Sequence, residues 1–395
     1  MFVAHLTLAD YRNYETAEVA LEPGPNLFVG ANGQGKTNLV EAIGYLSTLG
    51  SHRVSSDQAL IRSGRDSAIV RARLRHEERE VLLELQLNRS GANRAQVNRV
   101  GVRPRELPRH IATVLFAPED LALVRGEPSG RRRFLDQLLV QLTPRLAGTL
   151  ADYDRVLRQR NSLLKSARGA RIGEDRLSTL EVWDDRLVEL GSAIVNARAD
   201  LVARLRPHVA DAYARIAGPG QRADLALELS ILGAQPDDDG VPTTLHREAL
   251  RADGVDEAAG SPTAVPFRAA VARVRRSELD RGITLVGPHR DDLVLVLNDL
   301  PARGYASHGE SWSFALALKL ASAALLRAES PIGDPVVVLD DVFAELDEAR
   351  RAQLADAIRD YEQVLITAAV LDDVPAELTG NTVRISAGRI DGAGS

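Results

Sequence analysis

The sequence predicts an α/β fold in which a phosphate-cradling loop and a distant acidic strand make two halves of one site, parted by an α-helical insertion. Three observations carry this expectation. Gly30-Ala31-Asn32-Gly33-Gln34-Gly35-Lys36-Thr37 fits the pattern G-x-x-x-x-G-K-[ST]. Val336-Val337-Val338-Leu339-Asp340-Asp341 is an apolar run that ends in two carboxylates. Between them, apolar residues recur at helical spacing.

Along the chain, residues 1–29 read as strands, with Val3, His5 and Thr7 alternating against Ala4, Leu6 and Leu8. Leu27-Phe28-Val29 leads into the loop, and Asn38 to Thr48 reads as the helix after it. Residues 67–103 look like meander strands, followed by a strand at Thr113–Phe116. Helical spacing begins after Arg131. One seam runs Leu146, Leu150, Tyr153, Leu157; after a turn at Gly169–Gly173 a second runs Leu180, Trp183, Leu187, Leu190, Ile194, Ala197, Leu201. These predict two antiparallel helices in a short coiled-coil-like arm, with an ordinary helical bundle as the alternative. At ~1.5 Å per residue such an arm spans roughly 40 Å. Leu225 to Ile231 alternates as a strand, and 235–264 is an acidic, Gly/Pro-rich excursion. A basic helix from Phe267 to Arg281 then leads to strands at Ile283–Val286 and Leu293–Leu297, a helix from Trp312 to Arg327, and strands at Val336–Leu339 and Val364–Thr367.

The loop motif binds nucleotide phosphates through Gly30, Ala31, Asn32, Gly33, Gln34, Gly35, Lys36, Thr37 and Asn38. Its glycines let backbone N–H groups close around a phosphate, and the following helix adds positive potential. Lys36 reaches the outer phosphates, and Thr37 offers its hydroxyl to magnesium. Composition sharpens the match: the chain has 49 basic residues, of which only Lys36, Lys165 and Lys319 are lysine. A compact ammonium stands where a planar guanidinium would fit less well. In the acidic strand, Asp340 is the expected magnesium partner and Asp341 the candidate catalytic base. ATP and Mg2+ are thus the expected cofactors.

Lys36 and Asp340 lie 304 positions apart (340 − 36), far more than in compact P-loop enzymes. Ser307-His308-Gly309-Glu310 opens the helix before the acidic strand, as an S-x-G-E element does in ABC-type ATPases. There Ser307, Gly309 and Glu310 would cap the γ-phosphate bound to a second copy, with the helix N-terminus adding amides. Ala344-Glu345-Leu346-Asp347 resembles the loop joining the two sites of such a dimer. Two departures stand out. Thr367 occupies the strand end where many ABC ATPases carry a histidine near the γ-phosphate, and Ala117-Pro118-Glu119-Asp120 offers a carboxylate in place of the expected glutamine.

Composition narrows the function classes. There is no cysteine, which excludes disulfides, thiolate zinc sites and thiol catalysis, and suits a cytoplasmic protein. The apolar runs are too short for a membrane span, and the start lacks the features of a signal peptide. With a net charge of −6, any nucleic-acid surface must be a local patch. One candidate is the 71–109 span, with ten arginines against five glutamates; Arg71, Arg73 and Arg75 share strand parity. A solvated face explains them equally well, so no DNA-contacting residue is assigned.

Pro118-Glu119-Asp120-Leu121 and Val124-Arg125-Gly126-Glu127-Pro128-Ser129-Gly130-Arg131-Arg132-Arg133-Phe134-Leu135-Asp136 resemble the hallmark segment of the bacterial RecF family. Asp10-Tyr11-Arg12-Asn13-Tyr14, Gly287-Pro288-His289-Arg290-Asp291-Asp292 and Asp340 to Asp347 are similar to that family in the same order. The resemblance implies an ABC/SMC-type P-loop ATPase head with an inserted helical arm. The head would comprise 1–130 and 276–395, and the arm 131–275. It further implies ATP-dependent homodimerisation on gapped DNA or single-strand/double-strand junctions, weak DNA-stimulated ATP hydrolysis, and recombinational repair with the RecO and RecR mediators and RecA downstream. An ABC transporter ATPase subunit is the alternative.

Overall fold

The computed structural model describes residues 1–54, 56–170, 178–218, 220–233 and 263–391. Strands β1 (Phe2–Tyr11), β2 (Tyr14–Ala20) and β3 (Gly24–Val29) precede helix α1 (Lys36–Thr48). Strands β4 (Ser67–His76), β5 (Arg79–Asn88), β6 (Arg94–Val97), β7 (Val100–Val102) and β8 (Thr113–Phe116) follow. Helices α2 (Leu121–Arg125), α3 (Pro128–Leu142), α4 (Leu146–Ala170) and α5 (Ser178–Ala217) come next. They lead to β9 (Ala223–Glu228), α6 (Ala264–Arg281), β10 (Asp292–Leu297), β11 (Leu300–Pro301), the single turn α7 (Ala302–Tyr305) and α8 (His308–Glu329). The last elements are β12 (Val336–Asp340), α9 (Glu348–Ile358), β13 (Gln363–Ala368), β14 (Asn381–Ser386) and β15 (Arg389–Asp391). Among the described residues, no helix is long and apolar enough to cross a membrane.

The chain divides into two compact units: Met1–Leu121 with His208–Gln221 and Trp312–Ser395, and Ala122–Pro207 with Arg222–Ser311. The first unit holds two six-stranded sheets. One is antiparallel, in the order β2-β1-β4-β5-β6-β7; the other runs β15-β14-β3-β13-β12-β8 and is parallel except at β15. In the second sheet, β3, β13 and β12 are near-continuous apolar runs, as strands covered on both faces require. Helix α1 shares one core with both sheets: Leu39, Val40, Ile43 and Leu46 pack with Val3, Leu6, Phe28, Val338 and Leu365. Gln363 joins the sheets by a reciprocal pair, accepting from the Val3 N–H (2.9 Å) and donating to its carbonyl (2.8 Å).

In the second unit, α4 and α5 run antiparallel: Tyr153 lies against Gly191, and Arg160 pairs with Asp184. Their seam is not a two-helix coiled coil. Phe267, Ala270 and Val271 of α6 pack into it, making a three-helix core. The division also differs from the borders read from sequence at 130 and 275. Residues beyond 275 group with the helices because β10 pairs with β9 and the Arg131 guanidinium grips Asp292.

Four element expectations change. The strand read over Leu225 to Ile231 ends at Glu228, and Ser230–Leu232 form a 3-10 turn. Ile283–Val286 is not a strand: the Thr284 N–H is taken by Asn161 (2.8 Å) and the Leu285 N–H by Glu278 (2.8 Å), so neither donor is left for a ladder. Helix α8 starts at His308 rather than Trp312, and α6 at Ala264 rather than Phe267. Of the acidic excursion, 235–262 lies outside the described residues, as do positions 171–173 of the expected helix-to-helix turn, whereas Gly169 is helical.

Candidate functional site

The loop between β3 and α1 is shaped by two glycines. Gly35 has φ 119°, and a Cβ on it would lie 2.7 Å from the Tyr14 hydroxyl and 2.8 Å from the Asn13 amide. A Cβ on Gly30 would fall 2.2 Å from the Ile385 carbonyl oxygen. Neither position admits a side chain without displacing neighbours. Ala31, Asn32 and Gly33 form the exposed rim, and Gly35 and Lys36 lie beneath it. Lys36, only 3 % exposed, donates from Nζ to the Ala31 carbonyl (3.3 Å). Among the described residues that is its one hydrogen bond, and it is the contact an anion would replace. The rim is braced from the β1–β2 turn, where Asn13 donates to the Gln34 carbonyl (3.1 Å) and accepts from Asn38 (2.7 Å).

The acidic strand arrives from the far end of the chain. β12 pairs in parallel with β13, which pairs with β3, so their carboxyl ends sit side by side at the loop. Thr37 Oγ1 donates to Asp340 Oδ1 (2.9 Å), and Thr367 Oγ1 donates to the same oxygen (2.7 Å). The Thr367 hydroxyl also accepts from the Asp341 N–H (2.9 Å). Thr367 therefore has a structural task at this strand end, orienting the Asp340 carboxylate and holding the Asp341 backbone. Asp341 adopts φ 52°, a left-handed conformation that aspartate tolerates better than most residues. Burial pushes its carboxyl above the ordinary range; Lys36 opposes that shift, Asp340 adds to it, and the Thr367 contact opposes it.

Thr37 and Asp340 offer one hydroxyl and one carboxylate. Among the described residues, no group of three or more His, Asp or Glu side chains could hold a metal ion alone. Two hard oxygen donors beside a phosphate cradle fit Mg2+, which takes its remaining ligands from phosphate and water.

Sequence reasoning missed His52. It stands on the Gly50–Val54 loop after α1, with Nε2 3.6 Å from Asp340 Oδ2. Nothing local in the sequence marks it, since the approach depends on how α1 ends. The carboxylate offered in place of the expected glutamine resolves into two different groups. Asp120 accepts from the Ala117 N–H (2.8 Å) and pairs with Lys319 Nζ (2.8 Å), while Glu119 is exposed.

The remaining predicted residues lie in the second unit. Ser307 and Glu310 form a reciprocal cap on α8: the Ser307 N–H donates to Glu310 Oε2 (2.8 Å), and the Glu310 N–H donates to Ser307 Oγ (3.3 Å). Ser307 and His308 are exposed, with Gly309 and Glu310 half-buried behind them. Back in the first unit, Asp347 caps α9 by accepting from the Arg350 N–H (2.8 Å).

The chain matches the family described as RecF/RecN/SMC N terminal domain over residues 2–389. It is 63% identical over 390 residues to the DNA replication and repair protein RecF of Leifsonia xyli subsp. xyli, covering 99% of both chains. It is 52% identical to the protein of that name from Streptomyces avermitilis, covering 99% of this chain and 100% of the relative. Among solved structures, the recombination mediator protein RecF-ATPrS in the RecFOR pathway matches with TM-score 0.83 at 28% identity, covering 99% of this chain and 97% of that one. RecF-ATP in the same pathway gives 0.80 at 26%, covering 99% and 98%. An Smc head bound to the C-winged helix domain of ScpA, at TM-score 0.52 and 16% identity, shares the fold.

Proposed function

The chain belongs to the RecF family, and from that premise we propose that it is an ATP-binding protein of recombinational DNA repair in which the nucleotide acts as a conformational switch. One observation carries the reading. The Thr37 and Asp340 side chains, 303 positions apart in sequence, meet at 2.9 Å beside a loop shaped to hold phosphate. Gly30 to Asn38 hold the phosphates, and Lys36 exchanges its Ala31 carbonyl for a phosphate oxygen. Thr37 and Asp340 are the residues that would hold Mg2+, which when bound would neutralise phosphate charge. Asp341 takes the proton of the attacking water, and its burial keeps its basicity above that of a free carboxylate.

Ser307, Gly309 and Glu310 of a second copy would complete the site across a homodimer, and closure would assemble a surface for gapped or junction DNA. Hydrolysis, slow and DNA-stimulated, would reopen it. RecO and RecR are the mediator partners of this reading, with RecA loaded downstream. The transporter alternative is not favoured, since the relatives are DNA replication and repair proteins matched along nearly their whole length.

The test is light scattering with ATP, ADP or no nucleotide, with and without gapped duplex, on wild type and Lys36→Ala. Dimers specific to ATP that retain gapped DNA and vanish in Lys36→Ala are expected. Dimers that persist in Lys36→Ala would sink the switch.

A further inference from the structure

The strand end where many ABC ATPases carry a histidine near the γ-phosphate has none here. Thr367 stands there, with its hydroxyl committed to Asp340 and to the Asp341 N–H. The Asp340 carboxylate is divided. Oδ1 takes both threonine hydroxyls, whereas Oδ2 faces His52 Nε2 at 3.6 Å. That distance is too long for a hydrogen bond. Nε2 is buried and has no hydrogen-bond partner among the described residues. A buried ring nitrogen without a partner is costly in a finished core, but is what a site awaiting a ligand would show.

The position of His52 is imposed by its surroundings. Helix α1 ends at Thr48, the capping residue Leu49 turns the chain with φ 52°, and the loop that follows brings His52 to Asp340 at the end of β12. Ser51 is locked: its hydroxyl donates to Glu41 Oε1 (2.5 Å) and accepts from the N–H groups of Arg53 (3.0 Å) and Val54 (3.1 Å). Glu41, fully buried, is gripped by Arg12 at both oxygens (2.6 and 2.8 Å). The Asp10–Tyr14 motif, which ATP binding alone leaves unexplained, thus braces the site twice. Asn13 holds the loop rim, and Arg12, through Glu41 and Ser51, holds the loop that presents His52.

We propose that His52 reads the outermost phosphate of the bound nucleotide, donating from Nε2–H to it beside Asp340. In such loops the lysine reaches the outer phosphates and the threonine hydroxyl serves the magnesium bound to them. Thr37 is bonded to one Asp340 oxygen, so a donor that faces the other lies at the same end of the cradle, where the outer phosphates would sit. The inference rests on the ATP-switch reading and deepens it, because a histidine here tells ATP from ADP.

The experiment is calorimetric titration of the full chain with ATP and with ADP, on wild type, His52→Leu and His52→Gln, alongside melting without nucleotide. His52→Leu should lose about tenfold or more of its preference for ATP over ADP, with ADP affinity and melting unchanged. His52→Gln, whose amide nitrogen reaches similarly far, should recover part of it. A parallel loss for both nucleotides would mean that His52 only orients Asp340, and would overturn the proposal, as would an unchanged ratio. Should His52→Leu fail to fold, the ratio is read on His52→Gln against His52→Asn, whose amide falls short; equal ratios overturn it. Wild-type protein that binds no ATP sinks the switch reading itself, whereas normal binding with an indifferent His52→Leu sinks this inference alone.

Discussion

The buried arginines of the second unit and the ionisable groups at the loop of the first are held in opposite ways. In the second unit, buried arginines have full sets of partners. Arg160 bonds Asp184, Glu278 and Thr284, and Arg131 bonds both oxygens of Asp292 and the carbonyls of Leu123 and Gly126. In the first, the ionisable groups at the loop are held by neutral or partial contacts. Among the described residues, Lys36 bonds one carbonyl, Asp340 two hydroxyls and His52 Nε2 none. Full pairing in the interior fixes a shape; incomplete pairing at a cradle leaves capacity for a ligand. Changes in the two places should therefore separate stability from chemistry.

The largest effect belongs to the site. Asp341→Asn should lower single-turnover hydrolysis by about 10²–10⁴-fold while ATP still binds and melting holds. Normal turnover would remove Asp341 from the base role and leave the contrast resting on Lys36. The scaffold gives the converse. Arg160 is fully buried, and its removal strands Glu278, also fully buried, without a counter-charge. Arg160→Ala should cost about 3–5 kcal/mol in urea unfolding. A loss below about 1 kcal/mol would show that the paired interior is dispensable and the contrast false.

Next in size is a pH effect confined to the second unit. Glu228 lies directly across the ladder from Asp292. Burial first, and then the Asp292 charge, raise its carboxyl to about 7, against the pull of Arg131. A raised carboxyl binds its proton more tightly folded than unfolded, so its contribution falls as pH climbs from the ordinary carboxylate range through 7. Glu228→Gln removes that fall. It should be more stable than wild type by about 1–3 kcal/mol at pH 8, with the advantage gone near pH 4. An advantage independent of pH would assign the gain to packing.

These contrasts mark what the sequence could disclose. The loop and the acidic strand were legible because each packs its chemistry into a few contiguous residues with a fixed backbone requirement. Gly35 must be glycine, and Val336 to Leu339 must be a covered strand. Thr367 was visible only as a departure, since its two bonds form once β13 lies beside β12. His52 was invisible because its approach to Asp340 depends on the left-handed turn at Leu49 and on the hold of Glu41 over Ser51. Ile283–Val286 looked like a strand for a related reason. Its apolar pattern is local, but the acceptors that claim its N–H groups come from α4 and α6. The helical seams announced two helices and were silent on the third, whose apolar face reads as an ordinary amphipathic helix.

The smallest effect concerns the arginine stripe of the antiparallel sheet. Strand parity placed Arg71, Arg73 and Arg75 on one face, and the register agrees, with Arg71 opposite Thr7 and Arg73 opposite His5. The neighbouring strand supplies counter-charges. Arg71 meets Glu84 at 2.6 Å, and Arg73 and Arg75 share Glu80 at 3.2 and 3.5 Å. About half of each arginine side chain is exposed, so these pairs contribute little to stability, yet they cancel much of the local positive charge that composition suggested. Arg73→Gln should change stability by less than about 0.5 kcal/mol. It should also leave the salt slope of DNA binding essentially unchanged, whereas loss of a phosphate-bound arginine would lower it by about 0.9. A full-unit change would mean that DNA displaces Glu80 from Arg73. The stripe would then have to be counted with the incompletely committed charges of the nucleotide loop, and the division between paired scaffold and open site would run through the sheet as well.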